Sequence, residues 1–422
     1  MTHPDRVDPS EAHARELDAA DPLRSLRERF HIPVGPDGRP LAYLAGQSLG
    51  VQPVAARAAV EHVMDAWARR GVDGFFDPDA WQDLDDRVRA ATARLVGATE
   101  TEVTTMATLT VDLHLLLATG YRPLGDRRAI LIDAPTFPSD RYAVVSHLAL
   151  RGADPERDLL VVAPPAGSSI LEPEVIEAAI HEHRDRLALV LLAGVNYATG
   201  QAHDIPRLTA AAHAAGAVAL WDLAHAVGNI PLDLPAADVD LAAWCTYKYL
   251  NGGPGAPGQV FIAERFATDP TAPRLAGWWG NDPATRFEMT ETFRPSHDAN
   301  GWRISTPGMI GLAPLQASLA ILDEVGLPAL RDRSVRLTAY LEALIDALVD
   351  DATIITPRDP ARRGAQLSVR LPDAPRRLRA IEARGVVGDF REPDLIRLAP
   401  IPSYTTFHDA WRAATALAAT VG

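Results

Sequence analysis

A chain of 422 residues, 47% of them hydrophobic, is long for one core and points to two or three compact units. Its 41 basic against 55 acidic side chains leave a formal charge of −14, which argues against a nucleic-acid partner. The acidic N-terminus lacks the apolar stretch of a secretory signal, no run could span a bilayer, and the lone Cys245 can form no internal disulfide; a soluble cytoplasmic protein with no membrane partner is expected.

The first fifty residues show no clear periodicity and are expected to wrap over the rest of the fold. In "TTMATLTVDLHLLLATG", Thr108 and Thr110 open an amphipathic run in which Val111, Leu113, Leu116 and Leu117 recur at helical spacing. A helix start of this kind offers free amides and a dipole to a phosphate, although a threonine cap is also commonplace without a ligand. The apolar runs at 129–137, 159–165, 187–196, 218–226, 241–247 and 258–264 read as strands buried on both faces, with helical patterns such as "EPEVIEAAIHEHRDR" and "IPRLTAAAHAAGA" between them. Strand and helix in alternation predict an α/β fold with a mostly parallel sheet. Beyond about residue 300 the pattern changes to two long helices (309–326 and 328–351), then "QLSVRLP", a helix, "VVGDFRE", "LIRLAPIP" and a final helix, a smaller α+β domain. The expected division is an N-terminal segment (1–55) packing on both domains, a large domain (56–300) and a small C-terminal domain (301–422).

Lys248 is the only lysine in the chain. For surface charge or phosphate contact arginine serves as well, but a guanidinium does no amine chemistry. An ε-amino group loses its proton in a suitable pocket and attacks a carbonyl, so Lys248, between the apolar "LAAWC" and the loop "NGGPGAPG", is a candidate Schiff-base lysine. The preceding strand ends at Asp222 and His225. A buried aspartate at a strand end needs a cation or donors, or caps the next element. A protonated pyridine nitrogen, the feature that makes pyridoxal phosphate an electron sink, would meet it. His225 is placed to reach a cofactor oxygen, or serves structure alone. No metal site is expected.

The successive strings "YLAGQSLGVQP", "TLTVDLHLLLATGYRP", "FPSDRYA", "GVNYATGQ", "WDLAHAVGNIPLDL", "AAWCTYKYLNGGPG", "GWWGNDPATRFEM" and "IRLAPIPSYTTFHD" resemble, in order and over nearly the whole chain, the blocks of the kynureninase family. The resemblance implies a homodimeric fold-type-I pyridoxal-phosphate enzyme, with a seven-stranded-type sheet in the large domain and an active site shared between subunits. Its activity would be hydrolysis of kynurenine or 3-hydroxykynurenine to alanine and an anthranilate. By position, Lys248 would carry the cofactor, Asp222 would pair with the ring nitrogen, and Leu109 and Thr110 would help bind the phosphate. Phe137 would stack on the ring, and Asp140 would orient the cofactor. His225, Tyr247, Thr306 and the partner's Trp278 would complete its shell. Arg397 would clamp the substrate carboxylate, and Ser48 would approach its aryl end.

The chain also departs from the family pattern. Gln47 stands where the family usually has asparagine, Ala107 precedes the "T-L-T" start where asparagine is frequent, and Ala198 replaces a common aromatic residue. Thr306 stands at a site that is asparagine in animal-type members, and Phe76 is offered as an aromatic wall where those members have a histidine. The machinery is expected to be intact and the aryl pocket remodelled. In the expected mechanism the freed lysine removes the α-proton, water adds to the γ-carbonyl with Tyr247 as proton donor or acceptor, and the β,γ bond breaks. Two alternatives stay open: a related lyase or decarboxylating deaminase acting on another β-substituted amino acid, such as an S-substituted cysteine, and a cofactor-binding protein without catalysis.

Overall fold

The apolar runs assemble into one seven-stranded sheet in the computed structural model, which describes residues 7–76 and 81–420. Its strands are β1 (Val103–Thr105), β2 (Ala129–Asp133), β3 (Leu159–Val162), β4 (Leu187–Ala193), β5 (Val218–Asp222), β6 (Leu241–Trp244) and β7 (Gln259–Ile262). Their order across the sheet is β1-β7-β6-β5-β4-β2-β3. The pairs β2–β3, β2–β4, β4–β5 and β5–β6 are parallel, whereas β7 runs antiparallel to both β6 and β1. The expected α/β class with a mostly parallel sheet is borne out.

Both faces of the sheet are buried, which is why its strands lack polar alternation. In β4, Val190 and Leu192 enter one hydrophobic core while Leu189 and Leu191 enter the core on the other face. Three sequence expectations change. Strand β3 lies at the sheet edge with Val161 43% exposed, so it is not buried on both faces. Strand β1 falls in a segment read only as leading into a helix. Each strand is also shorter than its apolar run: β5 stops at Asp222 and β6 at Trp244, leaving the next residues free to line the strand ends.

A second sheet, β8 (Thr353–Ile354), β9 (Leu367–Arg370), β10 (Asp389–Arg391) and β11 (Leu395–Leu398), is antiparallel in the order β8-β9-β11-β10. Helix Met309–Val325 adds Leu312, Leu315 and Leu319 to the core of the large sheet, and helix Leu327–Leu348 adds Leu337, Leu341 and Leu344 to the core of the small one. The chain bends 86° between these helices at Gly326, whose φ of +81° favours glycine. The N-terminal segment ties into both regions: Leu26, Phe30 and Val51 enter a core of the large sheet, and Ala42–Tyr43 pairs with Val386–Val387. Its helix Glu11–Ala20, capped by Ser10, was not legible as a periodic pattern. Among the described residues no single helix is long and apolar enough to cross a membrane.

Candidate active site

The polar residues cluster where β2, β5 and β6 end, as expected for an open parallel sheet. Asp222 is the last residue of β5, and one oxygen accepts from the Ala224 amide at 2.8 Å. Lys248 follows β6, and its Nζ lies 3.0 Å from His225 Nε2. The same Nζ sits 6.0 Å from the centroid of Phe137 and 5.8 Å from that of Tyr247. Phe137 caps helix Pro138–Leu150, which places Asp140 in its first turn beside Asp222. Gly50 holds the N-terminal segment against this loop: its amide donates to the Tyr247 carbonyl at 2.8 Å, and a Cβ there would overlap Asn251 and the Lys248 carbonyl.

Burial and charge set the protonation states. Burial, then the neighbouring Asp222, raises Asp140 well above the usual carboxylate range. Asp222 is raised by burial but held back by Lys248, by the Ala224 amide and by Asp140. Both carboxyls are raised, Asp140 the more strongly. Burial drives His225 well below its ordinary value, with Lys248, Arg397 and Arg391 adding to the effect, so its imidazole is neutral. Burial also raises the Tyr247 phenol, so Tyr247 is a proton donor rather than a base. Asp140 Oδ1 and His225 Nδ1 are buried without hydrogen-bond partners.

Thr108 caps helix Leu109–Gly120 without using its side chain for the cap, and the first-turn amides of Leu109 and Thr110 precede the first intrahelical bond. The Thr110 hydroxyl meets that of Ser139 at 2.6 Å, which brings two helix starts and two hydroxyls together.

Arg397, on β11, is 1% exposed and already has partners. Its Nε donates to Asp389 Oδ1 at 2.5 Å, Nη2 bonds Asp389 Oδ2 and the Ser48 hydroxyl (3.0 Å), and Nη1 donates to the Tyr197 carbonyl at 2.7 Å. Ser48 in turn donates to Asp389. The arginine expected to clamp a carboxylate is thus already paired with one, and Ser48, expected at the aryl end of the substrate, lies on this guanidinium instead. Sequence reading missed Asp389. It also missed Arg391, 3.4 Å from Asp389, and Tyr197, whose ring meets Phe137 edge-on at 5.2 Å. Asp389 and Arg391 sit in "GDFRE", which carries no motif signal.

Three expected site residues lie elsewhere in this chain. Phe76 is 60% exposed and packs on Phe287 at 5.9 Å, and Trp278, 50% exposed, packs on the same ring at 5.6 Å. Thr306 lines a cavity of about 390 Å³ with Val63, Trp67, Phe75 and Trp81. The aromatic residues lining that cavity in this chain are Trp67, Phe75 and Trp81, and Phe76 is not among them. A cavity of about 670 Å³ borders the glycine loop, lined by Tyr43, Leu49, Asn251, Gly253 and Ile310.

The fold is that of several solved enzymes at low sequence identity. A C-DES mutant with glycine covalently linked to its PLP cofactor superposes with a TM-score of 0.76 at 18% identity, covering 93% of this chain and 98% of that one. A cysteine desulfurase from Escherichia coli superposes at 0.72 with 17% identity, covering 93% and 96%. Residues 330–417 match the family description "Kynureninase C-terminal domain". The kynureninase of Salinispora tropica is 49% identical over 421 residues, 97% of each chain. That of Xanthomonas oryzae pv. oryzae is 51% identical over 406 residues, 95% of this chain and 96% of the other. The chain belongs to the kynureninase family.

Proposed function

We propose that this chain is a pyridoxal-phosphate enzyme that hydrolyses the β,γ carbon–carbon bond of kynurenine or a ring-substituted kynurenine, releasing alanine and an anthranilate. The observation that carries the reading is the only lysine, placed at the strand ends with Asp222, Asp140, His225 and Phe137 around it. Near-full-length identity of about half to curated kynureninases supports it. The likeness to C-DES is one of fold and implies no substrate.

The donor set fits the cofactor. Lys248 would hold its aldehyde carbon, Asp222 its ring nitrogen, and Phe137 its ring face. Leu109, Thr110 and Ser139 would hold the phosphate, and Asp140 Oδ1 and His225 Nδ1, buried without partners, belong to residues of the same cluster. When bound, pyridoxal phosphate supplies an electron-accepting ring. The chain's own groups do the rest. Asp222, raised by burial but held back by Lys248, by the Ala224 amide and by Asp140, would favour a protonated ring nitrogen. Lys248 takes and returns a proton at Nζ, where the neutral His225 accepts at 3.0 Å. Tyr247 donates a proton to the oxygen that develops charge on the γ-carbon. Arg397, fixed by Asp389, presents its remaining edge to the α-carboxylate, with Ser48 the group displaced.

The exposed aromatic patch of Phe76, Trp278 and Phe287, joined by the 73% exposed Met289, supports a homodimer in which this face closes the partner's site. Phe76 and Thr306 would then act on the partner's substrate. The test is a product assay on purified protein with kynurenine, 3-hydroxykynurenine and a panel of S-substituted cysteines. Anthranilate or its hydroxy derivative is expected from the first two and nothing from the panel; turnover of the panel alone would replace this reading.

A further inference from the structure

A second cation, Arg391, stands beside the arginine clamp, and no step above uses it. Asp389 and Arg391 are two residues apart on β10 and so share a face, and the register sets Asp389 opposite Arg397 of β11. Asp389 occupies the Nε and Nη2 edge of Arg397, with the Nε bond at 2.5 Å, and also accepts from Ser48. Arg391 Nη2 lies 3.4 Å from Asp389 Oδ2, and its Nη1 donates to the Phe390 carbonyl at 2.7 Å. Among the described residues neither guanidinium has another carboxylate at ion-pair distance. The clamp is also tied to the lysine cluster by contact. Arg397 Nη1 donates to the Tyr197 carbonyl, the Tyr197 ring meets Phe137 edge-on at 5.2 Å, and Phe137 lies 6.0 Å from Lys248 Nζ.

Arg397 and Asp389 together carry no net charge. A guanidinium already paired with one carboxylate gains little from a second, because the second arrives against the repulsion of the first at close range. Such a pair alone is a poor receptor for an α-carboxylate. Arg391 changes the count: two guanidiniums against one carboxylate leave one positive charge, and a substrate carboxylate on Arg397 brings the group to neutrality. The two arginines divide the work by depth. The Arg397 side chain is 1% exposed and offers donors in a fixed geometry, whereas that of Arg391 is 37% exposed and offers charge from the rim.

We propose that Arg391 is a positioning residue for the substrate carboxylate: by offsetting Asp389 it leaves Arg397 with a net positive charge to present, and so selects ligands that carry a carboxylate. The proposal rests on the reading that Arg397 receives the α-carboxylate of an amino-acid substrate. Arg391 acts through the charge of Asp389 and needs no contact of its own with the ligand.

The test compares Arg391→Gln, which removes the charge, with Arg391→Lys, which keeps it. The readout apart from turnover is the dissociation constant of L-alanine from the pyridoxal-phosphate-loaded enzyme, followed by visible absorption, with ethylamine as the ligand that lacks the carboxylate. Arg391→Gln is expected to weaken alanine about tenfold and leave ethylamine unchanged, with Arg391→Lys recovering most of the loss. The KM for kynurenine should rise by a similar factor with kcat within about twofold. Raising salt from about 20 to about 500 mM should weaken alanine binding in wild type and do so less in Arg391→Gln, because the charge on the rim is open to screening. A structural role alone would not flatten that dependence. Equal weakening of both ligands, an unchanged alanine constant in Arg391→Gln, or no recovery in Arg391→Lys would overturn the proposal. If Arg391→Gln fails to fold by circular dichroism, the wild-type salt series decides alone, and an alanine constant indifferent to salt refutes it. Alanine binding in the expected pattern without cleavage of kynurenine would sustain the proposal and remove the hydrolase reading instead.

Discussion

Replacing Asp112 by asparagine should stabilise the protein, and by an amount that grows with pH. Asp112 lies in the first turn of helix Leu109–Gly120, with one oxygen accepting from the Ala107 amide at 2.9 Å. Its other oxygen is buried without a partner, pressed against Gly258, where a Cβ would overlap it. Burial raises this carboxyl from 3.8 to about 7. At about 1.36 kcal/mol per unit, that shift amounts to about 4 kcal/mol. The sign follows from proton counting: between 3.8 and about 7 the folded state holds a proton that the unfolded state has lost, so stability is fully present below 3.8 and falls as pH rises to about 7. Asparagine is neutral throughout and so carries no ionisation cost on burial. The stability gap between Asp112→Asn and wild type should therefore widen by about 3 kcal/mol from pH 5 to pH 8 and level off above that. Urea denaturation of the apoproteins at one fixed protein concentration, followed by circular dichroism at several pH values, reads the gap. A gap independent of pH would refute the reasoning, because it would mean that folding leaves the ionisation of Asp112 unchanged.

The remaining predictions concern the site. Lys248→Arg should fold and lose turnover by at least about 10³-fold, since charge is kept and nucleophilicity lost; borohydride reduction of wild type should place the pyridoxyl mass on the peptide holding Lys248. Arg397→Lys should raise KM about tenfold with a smaller change in kcat, while Asp389→Ala should cost about 3 kcal/mol of stability by leaving a buried guanidinium unpaired. Urea melts and steady-state kinetics separate the two effects. Phe76→His with Thr306→Asn should shift the kcat/KM ratio of kynurenine to 3-hydroxykynurenine by about 1 to 3 kcal/mol without altering cofactor affinity. A fixed ratio would assign the wall to other residues, Phe75 first among them.

The large sheet was legible because both its faces are buried, so unbroken apolar runs mark its strands, and because strand ends in such sheets collect polar residues. Asp222 stood out on those grounds, and Lys248 as the only lysine in the chain. Long-range pairing left no local signal. Asp389 is recognisable only once β10 pairs with β11 and brings it against Arg397. Helix Glu11–Ala20 has only a two-residue apolar stripe, Ala14 and Leu17, against the core of the small sheet, and Asp18 ties it down by accepting from the amides of Phe407 and His408 at 2.7 and 3.1 Å. The antiparallel β7 reads like its parallel neighbours, since burial on both faces erases the difference in pattern. Phe75 and Phe76 are adjacent in sequence, and only the structure separates the ring lining the cavity from the ring on the exposed patch.

The central claim is hydrolysis of a carbon–carbon bond at Lys248, and its most direct measurement is turnover of kynurenine in ¹⁸O-water with both products analysed by mass spectrometry. The account predicts alanine and anthranilate in equal amounts, one solvent oxygen in the anthranilate carboxylate, and neither product from Lys248→Arg. Anthranilate without solvent label, or cofactor-loaded protein that releases no alanine from kynurenine or 3-hydroxykynurenine, would contradict it.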